Sequence, residues 1–221
     1  MRFADGAIAE GPIALAEVQG YAYQAARTAS ELLGALGRTA EERASAGVWA
    51  AYADAMAARF RQRFWVRDAD GPYPALALDA RKVPVTGVAS NMGHLLGTGM
   101  LTAEEERLVV ERIMGPALFT GYGVRTMSSD NAAYWPARYH VGSVWTHDTA
   151  LIIEGTLEHG FDREARLLAG GLLRASEGFG GQLPELFGGQ PADELFPPAP
   201  YPAACPPGVG GGVRAHNRAR T

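Results

Sequence analysis

The sequence predicts an all-α fold of antiparallel helix pairs, about half of a helical toroid. Three observations carry this reading. Apolar residues recur at helical spacing in six separate stretches. The first two stretches are joined by a very short connection, which forces neighbouring helices to run antiparallel. The pairs are separated by long loops rich in aromatic residues, and loops of that length inside a compact domain are usually functional.

Gly11-Pro12 opens the first predicted helix, with proline early, where its missing N–H costs nothing. Ile13, Ala14, Val18, Tyr21, Ala22, Ala25, Ala29, Leu32 and Leu33 form its apolar stripe, and Gly37 serves as C-cap. Thr39 or Ala40 opens a second helix, with Ala46, Trp49, Ala50, Ala53, Met56, Ala57 and Phe60 on its buried side. Two short extended segments, at Phe64-Trp65-Val66 and from Tyr73 to Asp79, flank the turn signal Asp70-Gly71-Pro72.

Ser90 or Asn91 caps a third helix that Gly97 and Gly99 end early. Thr102-Ala103-Glu104-Glu105 is a capping-box pattern and opens a fourth helix, which runs through Leu108, Val109 and Ile113 and stops at Gly115-Pro116. Leu118 to Asn131 is a loop, and the glycines on both sides of Tyr122 mark a close backbone approach or a tight turn. Thr146 to His159 is the fifth helix, apolar on most sides, with Glu154 and Glu158 on its polar strip. Asp162 caps the sixth, which carries Ala165, Leu168, Ala169, Leu172 and Leu173.

Composition narrows the function. A formal net charge of −4 with scattered arginines argues against a nucleic-acid surface. No run reaches the ~18 uninterrupted apolar residues a membrane helix needs, so no membrane partner is expected. The first residues lack an apolar signal core, and the single cysteine, Cys205, fits a reducing, cytoplasmic setting.

The stretch from Tyr134 to Gly189 concentrates the chemistry. Tyr134, Trp135, Tyr139, His140, Trp145, His147 and Asp148 crowd in before a helix, and Leu183-Pro184-Glu185-Leu186-Phe187 follows the next one. That composition suits a sugar site. Pyranose rings stack on aromatic faces, and acetal cleavage needs carboxylates. A buried aromatic cluster at a helix start is the plainer alternative. Metal chemistry through His140, His147 and Asp148 is disfavoured, because no His-x-x-x-His spacing supports it; no metal or cofactor is expected.

Five segments, in order, carry a resemblance: Glu10 to Tyr21, Ser90-Asn91-Met92-Gly93-His94-Leu95-Leu96, Gly121-Tyr122-Gly123-Val124-Arg125-Thr126, Gly142 to Asp148, and Leu183 to Phe187. Together they resemble the C-terminal catalytic part of bacterial amylo-α-1,6-glucosidases of the glycogen-debranching type, over about residues 2–205. These are similar to the six-hairpin glycosidases, so the resemblance implies a partial (α/α)6 toroid. It also implies an inverting hydrolase of α-glucans, with an oligo- or polysaccharide as partner.

In such a mechanism two carboxylates stand roughly 6.5–9.5 Å apart, one as acid and one as water-activating base. Glu185 matches the base, and Glu17, Gln19, Tyr21, Asn91, His94, Arg125, Trp145, His147 and Asp148 are the implied substrate-binding set, expected at one end of the bundle. The related acid is an aspartate in a Gly-Trp-Lys-Asp-type segment just upstream of a Phe-Ala-Asp-Gly stretch. Met1 stands just before Phe3-Ala4-Asp5-Gly6 here, so this chain is expected to be a fragment with little turnover. A non-catalytic carbohydrate-binding or structural remnant is the alternative. Residues 206–221 lack an apolar period and are expected to be a disordered, non-native tail.

Overall fold

The computed structural model of the chain describes residues 1–201; the tail expected over 206–221 lies outside them. Strand β1 (Ala14–Leu15) precedes α1 (Ala16–Leu36), and α2 (Ala40–Phe64) follows after three residues. The two helices pack antiparallel. Ser30 Oγ donates to the Ala46 carbonyl at 2.8 Å, and Arg27 meets Asp54 at 3.3 Å. Thr39 and Glu42 form a reciprocal capping box at the start of α2.

The first helix starts later than Gly11-Pro12 suggests. Ala14 and Leu15 instead pair with Leu78 and Ala77, which holds them extended. The buried face of α1 is also different: Ala16, Gly20 and Ala26 face inward, whereas Val18, Tyr21 and Leu32 are about half exposed. Small residues win this face because another segment approaches closely. A Cβ on Gly20 would lie 3.0 Å from Leu95 Cδ2.

Strands β2 (Trp65–Asp68) and β3 (Gly71–Pro74) form the hairpin expected around Asp70-Gly71. Strand β4 (Ala77–Leu78) lies between β1 and β5 (Pro84–Val85) in a small antiparallel sheet. The third predicted helix is a 3₁₀ helix (Ser90–Leu95). Its N-cap residue is Ala89, with no side-chain cap bond, because Asn91 is engaged elsewhere. Helix α3 (Ala103–Met114) has the predicted Thr102–Glu105 capping box and ends at Gly115.

Strand β6 (Val144–Trp145) leads into α4 (Thr146–Glu158), which pairs with α5 (Asp162–Glu177). Asp162 is the first residue of α5, and its N-cap position is held by Phe161 without a side-chain bond. Strand β7 (Leu186–Phe187) returns to β6. The result is a set of helical pairs with short strands only in the connections, as in half of a six-hairpin toroid. The main core gathers Phe60, Phe64, Met92, Leu95, Val109, Ile113, Leu118, Ile152 and Leu168 from α2 to α5. Ile152 is fully buried, whereas Leu151 and Leu157 on the same helix are 46% and 55% exposed.

Candidate active site

The starts of α1 and α4 and the 3₁₀ helix come together at one end of the bundle. Two hydrogen-bonded arms join them. In the first, Asn91 Nδ2 donates to Glu17 Oε2 at 2.6 Å and to the Leu76 carbonyl at 3.0 Å. In the second, His94 stands between two helices: Nδ1 is 2.5 Å from Tyr21 Oη, and Nε2 is 2.5 Å from Asp148 Oδ1. The Ser90-Asn91-Met92-Gly93-His94 segment supplies both arms because a tight 3₁₀ turn places the side chains three apart on one side. Gly93 must be small: its Cβ would lie 2.7 Å from both Ile113 and Ile152.

Electrostatics follow from burial. Burial pushes the Glu17 carboxyl above its ordinary range, and the nearby Asp148 adds to this, against the opposing pull of Asn91 and His94. Burial disfavours charge on His94, but the bond to Asp148 and the charges of Asp148 and Glu17 outweigh it and raise its pKa. Burial, then Glu17 and Asp148, also raise the Tyr21 hydroxyl.

A cavity of about 420 Å³ opens beside these arms, bordered by Asn91, His140, Trp145, His147 and Asp148. That volume suits a small ligand. Trp145 is its aromatic wall. The indole Nε1 donates to the Tyr139 carbonyl at 2.7 Å and to Ser143 Oγ at 3.2 Å, and the His140 ring stacks on it at 4.9 Å. His147 meets Trp145 edge-on at 5.4 Å and is exposed.

Glu185 is exposed and is not among the residues that line this cavity. Its backbone is fixed: the Thr146 N–H donates to the Glu185 carbonyl at 3.1 Å, and Trp145 pairs with Leu186. Tyr139 Oη donates to Glu185 Oε1 at 3.1 Å. Tyr139 also packs on Trp145 at 4.6 Å, so Glu185 and Trp145 share one aromatic support. Sequence reasoning did not select Tyr139, although it lies in the aromatic stretch; the available signal was its place six residues before Trp145.

Two predicted site residues turn elsewhere. Arg125 is 3% exposed, and its guanidinium donates to the carbonyls of Gly189 at 2.7 Å and Pro116 at 2.6 Å. Gln19 donates back to the Leu15 carbonyl at the start of its own helix. Tyr21 lies beyond His94, on the border of a smaller hollow of about 170 Å³ with Gln24, Glu154 and Glu158. A larger hollow of about 690 Å³, between the β2–β3 hairpin and α3, contains none of the predicted site residues. Among the described residues, no group of three or more His, Cys, Asp or Glu side chains could hold a metal ion.

Residues 4–186 match the family described as the mannosylglycerate hydrolase MGH1-like glycoside hydrolase domain. The chain belongs to this MGH1-like glycoside hydrolase family. No curated protein matches the sequence. Among solved structures, the MGH1-like chain is similar to a neutral trehalase of Saccharomyces cerevisiae, with a TM-score of 0.65 at 15% identity over 80% of this chain. It is also similar to a GH63 mannosylglycerate hydrolase of Thermus thermophilus in complex with glucose, at 0.63 and 19% identity over 80% of this chain. The same enzyme in complex with Tris gives 0.64 at 18% identity, again over 80%. The MGH1-like chain spans 34%, 42% and 40% of these three chains, respectively. The shared architecture is that of the six-hairpin glycosidases, and the MGH1-like family makes the chain a glycoside hydrolase domain.

Proposed function

We propose that this domain carries the general-base side of an inverting hydrolase of α-linked glucosides, of the amylo-α-1,6-glucosidase type. Glu185 is the base, and the cavity beside Asn91, Trp145 and Asp148 holds the glucosyl ring. The observation that carries this reading is the fixed Glu185. Its backbone is tied to Thr146, its carboxylate accepts from Tyr139, and that Tyr139 ring packs on the Trp145 wall. The Thermus thermophilus relative in complex with glucose supports a hexose in a fold of this kind.

In the reaction, Glu185 removes a proton from water as the water oxygen forms a bond to the anomeric carbon. The bond to the glycosidic oxygen breaks, an acid protonates that oxygen, and the anomeric configuration inverts. Two other carboxylates at this end are held by hydrogen bonds: Asp148 by His94 and Glu17 by Asn91. The resemblance assigns the general acid to an aspartate in a Gly-Trp-Lys-Asp-type segment that these 221 residues do not contain, and on that reading the isolated chain turns over slowly. Desolvation, followed by the Glu185 carboxylate, raises the Tyr139 hydroxyl, which keeps it a donor to the base.

The test uses a longer protein that includes the upstream segment, assayed for glucose release from branched dextrin with the anomer read by NMR. Glu185→Gln should lower turnover by roughly 10²–10⁴-fold while maltooligosaccharide binding survives. Full turnover by Glu185→Gln, or by the isolated 221-residue chain, would overturn the assignment.

A further inference from the structure

His94 has both ring nitrogens engaged by partners on different helices, at 2.5 Å each. It is therefore closed to a ligand. Its two partners are not. Asp148 borders the larger cavity, and Tyr21, 43% exposed, borders the smaller hollow with Gln24, Glu154 and Glu158.

The proton count on the ring decides what Tyr21 can offer. With a neutral ring whose Nε2–H faces Asp148, Nδ1 is a lone pair, so the Tyr21 O–H must point inward and donate to it. With a charged ring, Nδ1–H donates to Tyr21 Oη, and the hydroxyl proton is free to point outward. We propose that His94 is a positioning residue that works as an imidazolium, holding Asp148 on one side and turning the Tyr21 hydroxyl outward as a donor to a sugar oxygen on the other.

Three features favour this state. The Asp148 carboxylate is an ion-pair partner for Nε2–H. Negative groups face the ring from both neighbouring helices: Glu17 from α1, and Asp148 from α4, with Glu154 and Glu158 around the adjoining hollow. The raised pKa of His94 has the same sign. A donor from Tyr21 beside acceptors from Glu154 and Glu158 matches a neutral polyol, whose hydroxyls both give and accept, and repels an anion.

Nitrogen-15 NMR of histidine-labelled full chain tests the protonation directly, and the unmodified protein alone decides it. Both His94 nitrogens should carry protons at pH 7, with a titration midpoint above that of an ordinary histidine. Asp148→Asn should lower the midpoint. A His94 that is neutral at pH 7, with an unprotonated Nδ1, would overturn the proposal.

The recognition arm rests on the glucoside reading above, extended to a second sugar unit at the Tyr21 hollow, and is measured separately, as maltose and glucose affinity by calorimetry. Tyr21→Phe should weaken maltose roughly 2- to 10-fold near pH 7, the equivalent of one hydrogen bond. Unchanged affinity in Tyr21→Phe overturns the donor role. If no variant or parent protein binds glucose, the glucoside reading fails and the donor role fails with it, whereas a charged His94 still stands as the positioning group for Asp148.

Discussion

Replacing Arg125 separates a structural brace from a substrate ligand. Its guanidinium is buried and donates to the Gly189 and Pro116 carbonyls, and it sits 5.7 Å over the Tyr134 ring. Charge-assisted hydrogen bonds of this kind contribute roughly 1.5–3 kcal/mol each. Two facts reduce the net loss. Tyr134 Oη still donates to the Gly189 carbonyl at 3.1 Å, and Pro116 is at the surface, where water can replace the lost donor. Arg125→Ala should therefore cost roughly 2–4 kcal/mol of folding stability, and Arg125→Lys, which can reach one carbonyl, should cost less. Urea unfolding followed by circular dichroism measures the loss, with calorimetric glucose titration alongside at a urea-free, folded condition. The brace assignment predicts a large stability loss with glucose affinity changed mainly through the Glu185 loop. Unchanged stability together with abolished glucose binding would refute it and return Arg125 to the substrate.

Further outcomes follow from burial and packing. Because Glu17 has a raised pKa, the unfolded chain ionises first as pH rises past the ordinary glutamate value, so the fold loses stability until Glu17 itself ionises. Glu17→Gln should remove this loss, and its stability relative to the parent should improve from pH 4 to pH 7 in urea titrations. His94 acts in the same sense: its contribution is present below the ordinary histidine value and is lost as pH rises through its raised folded value, a slope that Asp148→Asn should flatten. Gly155→Ala should destabilise by about 1–3 kcal/mol, because its Cβ would lie 2.7 Å from the Leu96 carbonyl. Gly47→Ala, in α2 with open space around it, should stabilise by about 0.5–1 kcal/mol in the same urea titrations.

What the sequence revealed was local. The Thr39–Glu42 and Thr102–Glu105 capping boxes follow from spacing alone, since each is closed between residues three apart. The β2–β3 turn and the stop at Gly115 are equally short-range. The starts of α1 and the 3₁₀ helix were misplaced because distant partners decide them: Leu78 and Ala77 hold Ala14 and Leu15 extended, and Glu17 draws Asn91 away from a capping role. Nothing local tells that the Arg125 side chain ends on Gly189, or that Tyr139 reaches Glu185. Asn91, His94, Trp145 and Asp148 could be selected because the segments that carry them resemble a glycosidase family in residue type and order, even when their contacts are unknown. They do meet at one end, but as a hydrogen-bonded frame more than as a row of free ligands.

The two-rung pairing of Val144–Trp145 with Leu186–Phe187 has a kinetic consequence. The chain leaves the aromatic wall at Trp145, runs out through the whole of α4 and α5, and comes back at Glu185. Only when that excursion has folded onto itself do its ends meet, and bringing distant ends together is an entropic cost that local contacts cannot offset in advance. Glu185 should therefore reach its place late in folding, after the hairpin behind it, as pulse-labelled amide exchange would read. Small openings of the α4–α5 pair should also be felt first at this narrow ladder, so amide exchange at Thr146, whose N–H donates to the Glu185 carbonyl, is the natural clock for the assembly and loss of the site.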